Sequence, residues 1–186
     1  MTDNSWEERW QAKRHEPLPA ADPWLVDQEE LLGSGIALDL ACGRGRNSLW
    51  LAARGYEVFA VDSSLTALQL LKEANADQAA IHPIHFDLSS QLPAEPHQVD
   101  LVLCSYFLDR ALFDQIKSRV EAGGLFIGRS FCQLGVMTPP ADIIFNPGEL
   151  AVLFADWEIL RYEEGRESAK RGGTLAGIVA RKPRST

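Results

Sequence analysis

Asp39, Gly43, Gly45 and Asp62 are the residues whose types and spacing could do chemistry together. Gly43 and Gly45 stand in D-L-A-C-G-R-G, directly after the apolar run I-A-L. Without Cβ atoms they can take positive φ and let a ligand approach the backbone closely. The pyrophosphate fingerprint G-x-G-x-x-G needs a third glycine, and Ser48 holds that position. Asp39 lies four residues before Gly43. A carboxylate beside a pyrophosphate is repulsive, whereas beside an ammonium group it is attractive. Asp62 follows Gly43 by nineteen residues, close to the spacing of about twenty at which an acid meets ribose hydroxyls; it could equally be the acid that opens the next helix. Together the four residues suit a nucleoside with a positively charged amino-acid end.

Strands and helices must hold these residues at one edge. I-A-L-D-L reads as a buried strand, and N-S-L-W-L-A-A-R as a helix beginning around Arg46 or Asn47, its N-terminal N–H groups facing the ligand and Gly55 closing its C-terminus. Y-E-V-F-A-V-D is a second strand ending at Asp62. Leu65, Leu68, Leu71 and Ala74 keep helical spacing over 64–77, and I-H-P-I-H-F-D-L is a third strand ending at Asp87. V-D-L-V-L-C-S is a fourth, followed by a helix over 111–121 that ends at Gly123-Gly124, and L-F-I-G-R-S-F is a fifth. A long connection with Pro139, Pro140 and Pro147 leads to a helix over 149–156, opened by Asn146 or Pro147. W-E-I-L-R-Y-E-E and T-L-A-G-I-V-A-R-K then read as a hairpin. This βα alternation predicts an α/β sheet, mostly parallel, with ligands at the carboxyl ends of its strands.

Asp39-Leu40-Ala41-Cys42-Gly43-Arg44-Gly45 resembles the first motif of class I S-adenosylmethionine-dependent methyltransferases, [D/E]-x-G-x-G-x-G, departing from it at Ala41. The segments Y-F-L-D-R-A-L-F, G-R-N-S, N-P-G-E-L and A-R-K-P resemble the tellurite-resistance-related, small-molecule branch of that family. The resemblance implies a Rossmann-like, seven-stranded, mostly parallel sheet with a C-terminal antiparallel hairpin and helices on both faces. It implies S-adenosylmethionine as cofactor, held by Asp39, Ala41, Cys42, Gly43, Gly45 and Asn47, with Asp62 and Ser63 at the ribose. Asp87 and the backbone of Leu88 are carried over to the adenine, and Cys104 and Ser105 to the methyl region, with Tyr106 touching it. Asp100 matches the acid of the family's fourth motif.

The acceptor is legible only as a class. The strand before the hairpin turn should run parallel to the rest, so the turn emerges on the ligand edge. That would bring Arg166, Lys170 and Arg171 to the acceptor mouth, with Arg110 close after the fourth strand. These bases are either a solvated turn or an electropositive rim for a small anionic acceptor. Thiols, chalcogen oxyanions and other anionic nucleophiles need no protein base, so none is expected to be indispensable.

Size and charge set the outer limits. The chain has 186 residues, enough for one core. Its net charge of −8 disfavours a nucleic-acid partner. No apolar run is long enough for a membrane span, and the charged N-terminus lacks a signal core, which predicts a cytoplasmic protein. Cys42, Cys104 and Cys132 form neither a disulfide framework nor a zinc pattern, and His82 and His85 alternate with apolar residues, so no metal is expected. Residues 1–35 precede the sheet as a helical arm, and 36–186 form the catalytic domain. The arm has two readings: helices packed on the sheet edge, or a lid over the cofactor, with Trp6 and Trp10 on one helical face. Two other functions stay open, an NAD-dependent Rossmann oxidoreductase and a non-catalytic S-adenosylmethionine-binding module. Oligomeric state is not legible.

Overall fold

The computed structural model describes residues 4–75, 80–137, 144–168 and 172–184. Its centre is a seven-stranded sheet: β1 (Gly35–Leu40), β2 (Tyr56–Asp62), β3 (Ile81–His85), β4 (Val99–Ser105), β5 (Val120–Met137), β6 (Glu158–Ser168) and β7 (Gly172–Arg181). The order is β3-β2-β1-β4-β5-β7-β6. Strands β1 to β5 pair in parallel, and β7 is antiparallel to both β5 and β6. β6 therefore runs with the parallel strands, and the β6–β7 turn leaves on their carboxyl edge. The order in which strands are laid down reverses at β1, with β2 on one side and β4 on the other, which is where open α/β sheets bind ligands.

Alternation along the central strands divides the apolar side chains between two faces. Leu38, Leu40, Val102, Phe113, Phe126 and Phe154 fill one core, under α5 (Phe113–Arg119) and α6 (Glu149–Leu153). Ala37, Leu51, Val58, Leu71, Leu101 and Ile127 fill the other, under α3 (Arg46–Ala52) and α4 (Leu65–Ala74). Asp39 shares β1 with these residues yet is almost fully buried, at 2% exposure.

Several elements differ from their sequence reading at the ends. β3 stops at His85: the Phe86 amide donates to the Asp62 carbonyl at 3.1 Å and the chain then leaves the sheet. The helix expected over 111–121 is a 3-10 turn at Arg110–Leu112 followed by α5, because Asp109 caps the turn through the Ala111 amide. Val120 already pairs with Val99, with a bulge before Leu101 and Leu125 meet. α6 starts after Gly148 in the left-handed conformation, and Glu149 reaches back to accept from the Asn146 amide at 2.8 Å.

The arm forms α1 (Asn4–Ala12), α2 (Pro23–Val26) and a 3-10 turn at Glu29–Leu31. Asp22 caps α2 by accepting from the Trp24 amide at 3.0 Å, and Pro23 opens the helix. Trp24 and Leu25 are buried in the second core, so the later half of the arm packs on the sheet. No helix among the described residues is long and apolar enough to cross a membrane.

Candidate active site

The loop between β1 and α3 takes a left-handed path through Ala41 (φ 54°), Gly43 (φ 56°) and Gly45 (φ 75°). A Cβ on Gly45 would lie 2.2 Å from Leu71 Cδ1, so glycine is required there for space as well as for φ. Ala41 accepts a conformation costing roughly 1–2 kcal/mol for an L-residue, which gives a steric reason for glycine at the matching family position.

Two carboxylates flank this loop. Asp39 accepts from Ser48 Oγ at 2.6 Å, so the residue occupying the third-glycine position orients the acid of the strand. Burial pushes the Asp39 carboxyl up to about 7, against the pull of Ser48; Arg46 acts on it only through space. Asp62 accepts from the Gly43 amide at 2.7 Å and from the Ser64 amide at 2.9 Å. Burial raises its pKa as well, ahead of those two hydrogen bonds. Asp62 thus braces the glycine loop and stands two residues before Ser64, the cap of α4. Ser64 caps α4 through the Ala67 amide, and the Ser63 carbonyl lies 2.9 Å from His85 Nε2.

Cys42 and Cys104 lie at the carboxyl ends of the central strands. Burial raises the Cys42 thiol well above its usual range and pushes Cys104 up to about 12, so neither is poised as a thiolate. Cys104 pairs with Leu40, and Ser105 Oγ lies 3.5 Å from Asn47 Nδ2, which brings the end of β4 against the glycine loop. Asn47 Oδ1 accepts from the Asp22 amide at 2.8 Å. Asp87 lies beyond β3, exposed, and closes a turn by accepting from the Ser89 amide at 2.9 Å. Hydrogen bonds from Ser89 lower its pKa. Leu88 is buried beside it. Asp100 is at the opposite edge, where it accepts from the Ile36 amide at 2.8 Å and braces the start of β1.

The expected basic rim needs one correction. Arg110 does not stand free at the mouth: its guanidinium pairs with Glu149 and donates to the Ile144 carbonyl at 2.8 Å, tying α6 to the turn after β4. Lys170 and Arg171, and the Arg166 side chain, lie outside the described residues. The edge instead carries two arginines that spacing did not single out, Arg46 and Arg129. An arginine inside the apolar strand L-F-I-G-R-S-F was the available signal, since a buried guanidinium needs a partner.

The partner comes from the arm, which crosses the whole edge. Glu7 accepts from Ser64 Oγ at 2.6 Å and from Thr66. Trp10 lies so close over the loop that a Cβ on Gly43 would come 2.8 Å from Trp10 Cζ2. Arg44 donates to the Glu16 carbonyl at 2.7 Å and the Pro17 carbonyl at 3.1 Å. Asp22 meets Arg46 at 2.8 Å and Arg129 at 3.4 Å. His15, by contrast, is exposed. Among the described residues no group of three or more metal-binding side chains occurs.

A family model described as a methyltransferase domain matches residues 37–124, which span the glycine loop, both flanking acids and β4. The chain belongs to the class I S-adenosylmethionine-dependent methyltransferases. It is 28% identical over 148 residues to the probable S-adenosyl-L-methionine-dependent methyltransferase TehB of Haemophilus influenzae, covering 75% of this chain and 52% of that protein. It is 30% identical over 135 residues to Hemagglutinin 1 of Eikenella corrodens, covering 68% of this chain and 45% of that one. The chain thus spans about half the length of these curated relatives. The crystal structure of Haemophilus influenzae TehB superposes with a TM-score of 0.78 at 23% identity, over 95% of this chain and 67% of that one. Burkholderia thailandensis 1,6-didemethyltoxoflavin-N1-methyltransferase, solved with 1,6-didemethyltoxoflavin and S-adenosylhomocysteine, gives 0.73 at 19% identity, over 97% of this chain and 87% of that one. The fold and the cofactor class follow; the acceptor does not.

Proposed function

We propose that this methyltransferase transfers the methyl group of S-adenosylmethionine to a small, anionic nucleophile at the carboxyl edge of β1 and β4. One observation carries the reading: Asp39 and Asp62 end adjacent strands, both buried, on either side of a left-handed loop. Asp39 has a hydroxyl as its direct partner and a raised pKa, which is what a site awaiting a cation shows. An ammonium group there would draw the proton off the carboxyl and complete the pair. Each oxygen of Asp62 already accepts one backbone N–H and keeps a second lone pair for a ribose hydroxyl.

The cofactor supplies a methyl group activated by a sulfonium, which leaves by in-line displacement. Our assignment gives the residues the following tasks. Ala41, Cys42, Gly43 and Gly45 form the cradle, and Asn47 fixes its outer end. Ser63 lies at the ribose side, Asp87 and the Leu88 amide at the adenine, and Cys104, Ser105 and Tyr106 at the methyl. No side chain here is asked to remove a proton, which suits acceptors that reach the site already deprotonated, such as a thiolate or a chalcogen oxyanion. The arm serves as the lid: Trp10 closes over the cradle and Arg44 of the loop holds the arm down through the Glu16 and Pro17 carbonyls, excluding water from a reaction that spreads positive charge. Arg166 and Arg171 stay candidates for the acceptor mouth, because the β6–β7 turn leaves on this edge.

A thermal-shift panel of S-adenosylmethionine, S-adenosylhomocysteine and NAD tests the cofactor. Stabilisation by the first two alone is expected, and stabilisation by NAD alone would overturn the reading. A homocysteine-coupled screen of thiols and chalcogen oxyanions then tests the acceptor class. Turnover confined to neutral amines or alcohols would reject the anionic part.

A further inference from the structure

Ser48 stands on the first turn of α3 with none of its surface exposed. A hydroxyl buried so completely needs a partner. Its partner is the acid of the neighbouring strand: Ser48 Oγ donates to Asp39 Oδ2 at 2.6 Å. Packing does not call for a serine here, because alanine is the better helix former and has almost the same volume. The position is also the one at which a dinucleotide loop carries its third glycine. A glycine there would leave the Asp39 carboxyl without this donor.

The groups around Asp39 give the donor its weight. Burial is the strongest influence on the carboxyl and opposes its charge, while the Ser48 hydroxyl is the strongest one favouring it. Asp62, at the end of β2, is a second acid and also opposes the charge. Arg46 and the Ser48 amide, both on α3, favour it more weakly. The Cys42 thiol in the loop and the Cys104 thiol on β4 are kept neutral by burial and add no counter-charge. Asp39 therefore depends on Ser48 more than on any other neighbour to carry its charge. One hydroxyl takes one lone pair of the carboxylate, so acceptor capacity is left for an ammonium group.

We propose that Ser48 is a positioning residue of the cofactor site: its hydroxyl orients Asp39 for the cofactor's ammonium group and sets the pH range over which the amino-acid end is held. The inference rests on the reading of Asp39 as the partner of that ammonium. Ser48 itself touches no part of the cofactor in this scheme and acts through the acid. The same departure from a third glycine that argues against a pyrophosphate thus equips the loop for an amino-acid end.

Calorimetric titration with S-adenosylhomocysteine and 5′-methylthioadenosine, from about pH 5.5 to about pH 9, tests this. In Ser48→Ala the midpoint of the S-adenosylhomocysteine affinity profile should move up by about one pH unit, since a hydrogen bond to the charged form is lost. Affinity near pH 7 should then fall roughly fivefold, as the ionised fraction shrinks, and should recover near pH 9. 5′-Methylthioadenosine lacks the amino-acid end; its affinity should match that of the unsubstituted protein at every pH, which also reports that the variant is folded. In an Asp39→Asn background the profile should be flat with or without Ser48→Ala, because the serine has lost the group it acts on. An unmoved midpoint in folded Ser48→Ala overturns the proposal, whether the affinity is unchanged or lowered equally at all pH values. A displacement that persists in the Asp39→Asn background, or that 5′-methylthioadenosine shares, overturns it as well. Each of these failures leaves S-adenosylhomocysteine binding intact and the methyltransferase reading standing. That reading fails instead if the unsubstituted protein binds neither nucleoside.

Discussion

The Gly43 amide donates to Asp62 at 2.7 Å, joining the glycine loop to the end of the neighbouring strand. The same carboxylate accepts from the Ser64 amide at 2.9 Å. Asp62→Asn can satisfy only one of these donors and turns its own NH2 towards the other. Leaving a buried donor unpaired costs about 1–3 kcal/mol. The variant should therefore lose stability in chemical denaturation and lose S-adenosylhomocysteine affinity with it. An unchanged denaturation midpoint would show that the brace is not needed.

Asp39 predicts a conflict between stability and binding. Its carboxyl titrates at 3.8 when free and at about 7 in the fold. Between those values the folded chain holds more protons than the unfolded one, so this group's contribution to stability falls as pH rises through the window. Asp39→Asn removes the penalty and keeps an acceptor for Ser48. It should raise the melting temperature of the ligand-free protein at pH 8, while weakening S-adenosylhomocysteine binding by about ten- to a hundredfold through loss of a charge-assisted hydrogen bond. A variant that melts lower and binds normally would remove Asp39 from the cofactor site.

The same titration gives cofactor binding a pH dependence. An ammonium group needs Asp39 ionised, and the ligand-free carboxyl is half protonated near 7. Affinity for S-adenosylhomocysteine should fall on acidification below that point, with proton release per ligand bound rising from about one half near pH 7 towards one at lower pH. Calorimetry in buffers of different ionisation enthalpy measures the proton directly. A flat profile from pH 5.5 to pH 8, a range chosen to span roughly the whole transition, contradicts the assignment.

Trp10 covers Gly43, where a Cβ would come 2.8 Å from the indole. If the arm is a lid, cofactor entry moves this ring. Trp10→Ala should speed S-adenosylhomocysteine release in stopped-flow measurements more than it slows association, since most changes at a binding site fall on the off-rate. Equal effects on both rates, or none, would reduce α1 to a packing element.

Ala41 stands at φ 54°. Ala41→Gly relieves left-handed strain and loses part of the gain to greater freedom of the unfolded chain. A net stabilisation of about 1 kcal/mol is expected from those two terms, read as a higher denaturation midpoint with cofactor affinity preserved.

Much of this architecture can be read along the chain because its signals are local. The glycine loop, the acids four residues before and nineteen after Gly43, and the alternation of strand and helix all depend on neighbours in sequence. They were enough for the parallel sheet, the hairpin and its exit on the ligand edge. Element ends were less legible, because they turn on single hydrogen bonds such as that from Phe86 to Asp62.

The sequence by itself determined the cradle: residue types at fixed spacing dictate a left-handed loop between two acids, whatever packs above it. Only the tertiary structure decided which charges share that edge. Arg110 goes to Glu149, and Asp22 crosses to Arg46 and to Arg129, 107 residues further along the chain. Desolvation drives those choices. A guanidinium buried by the fold must take the carboxylate that packing brings within reach, and no spacing along the chain encodes which one that is.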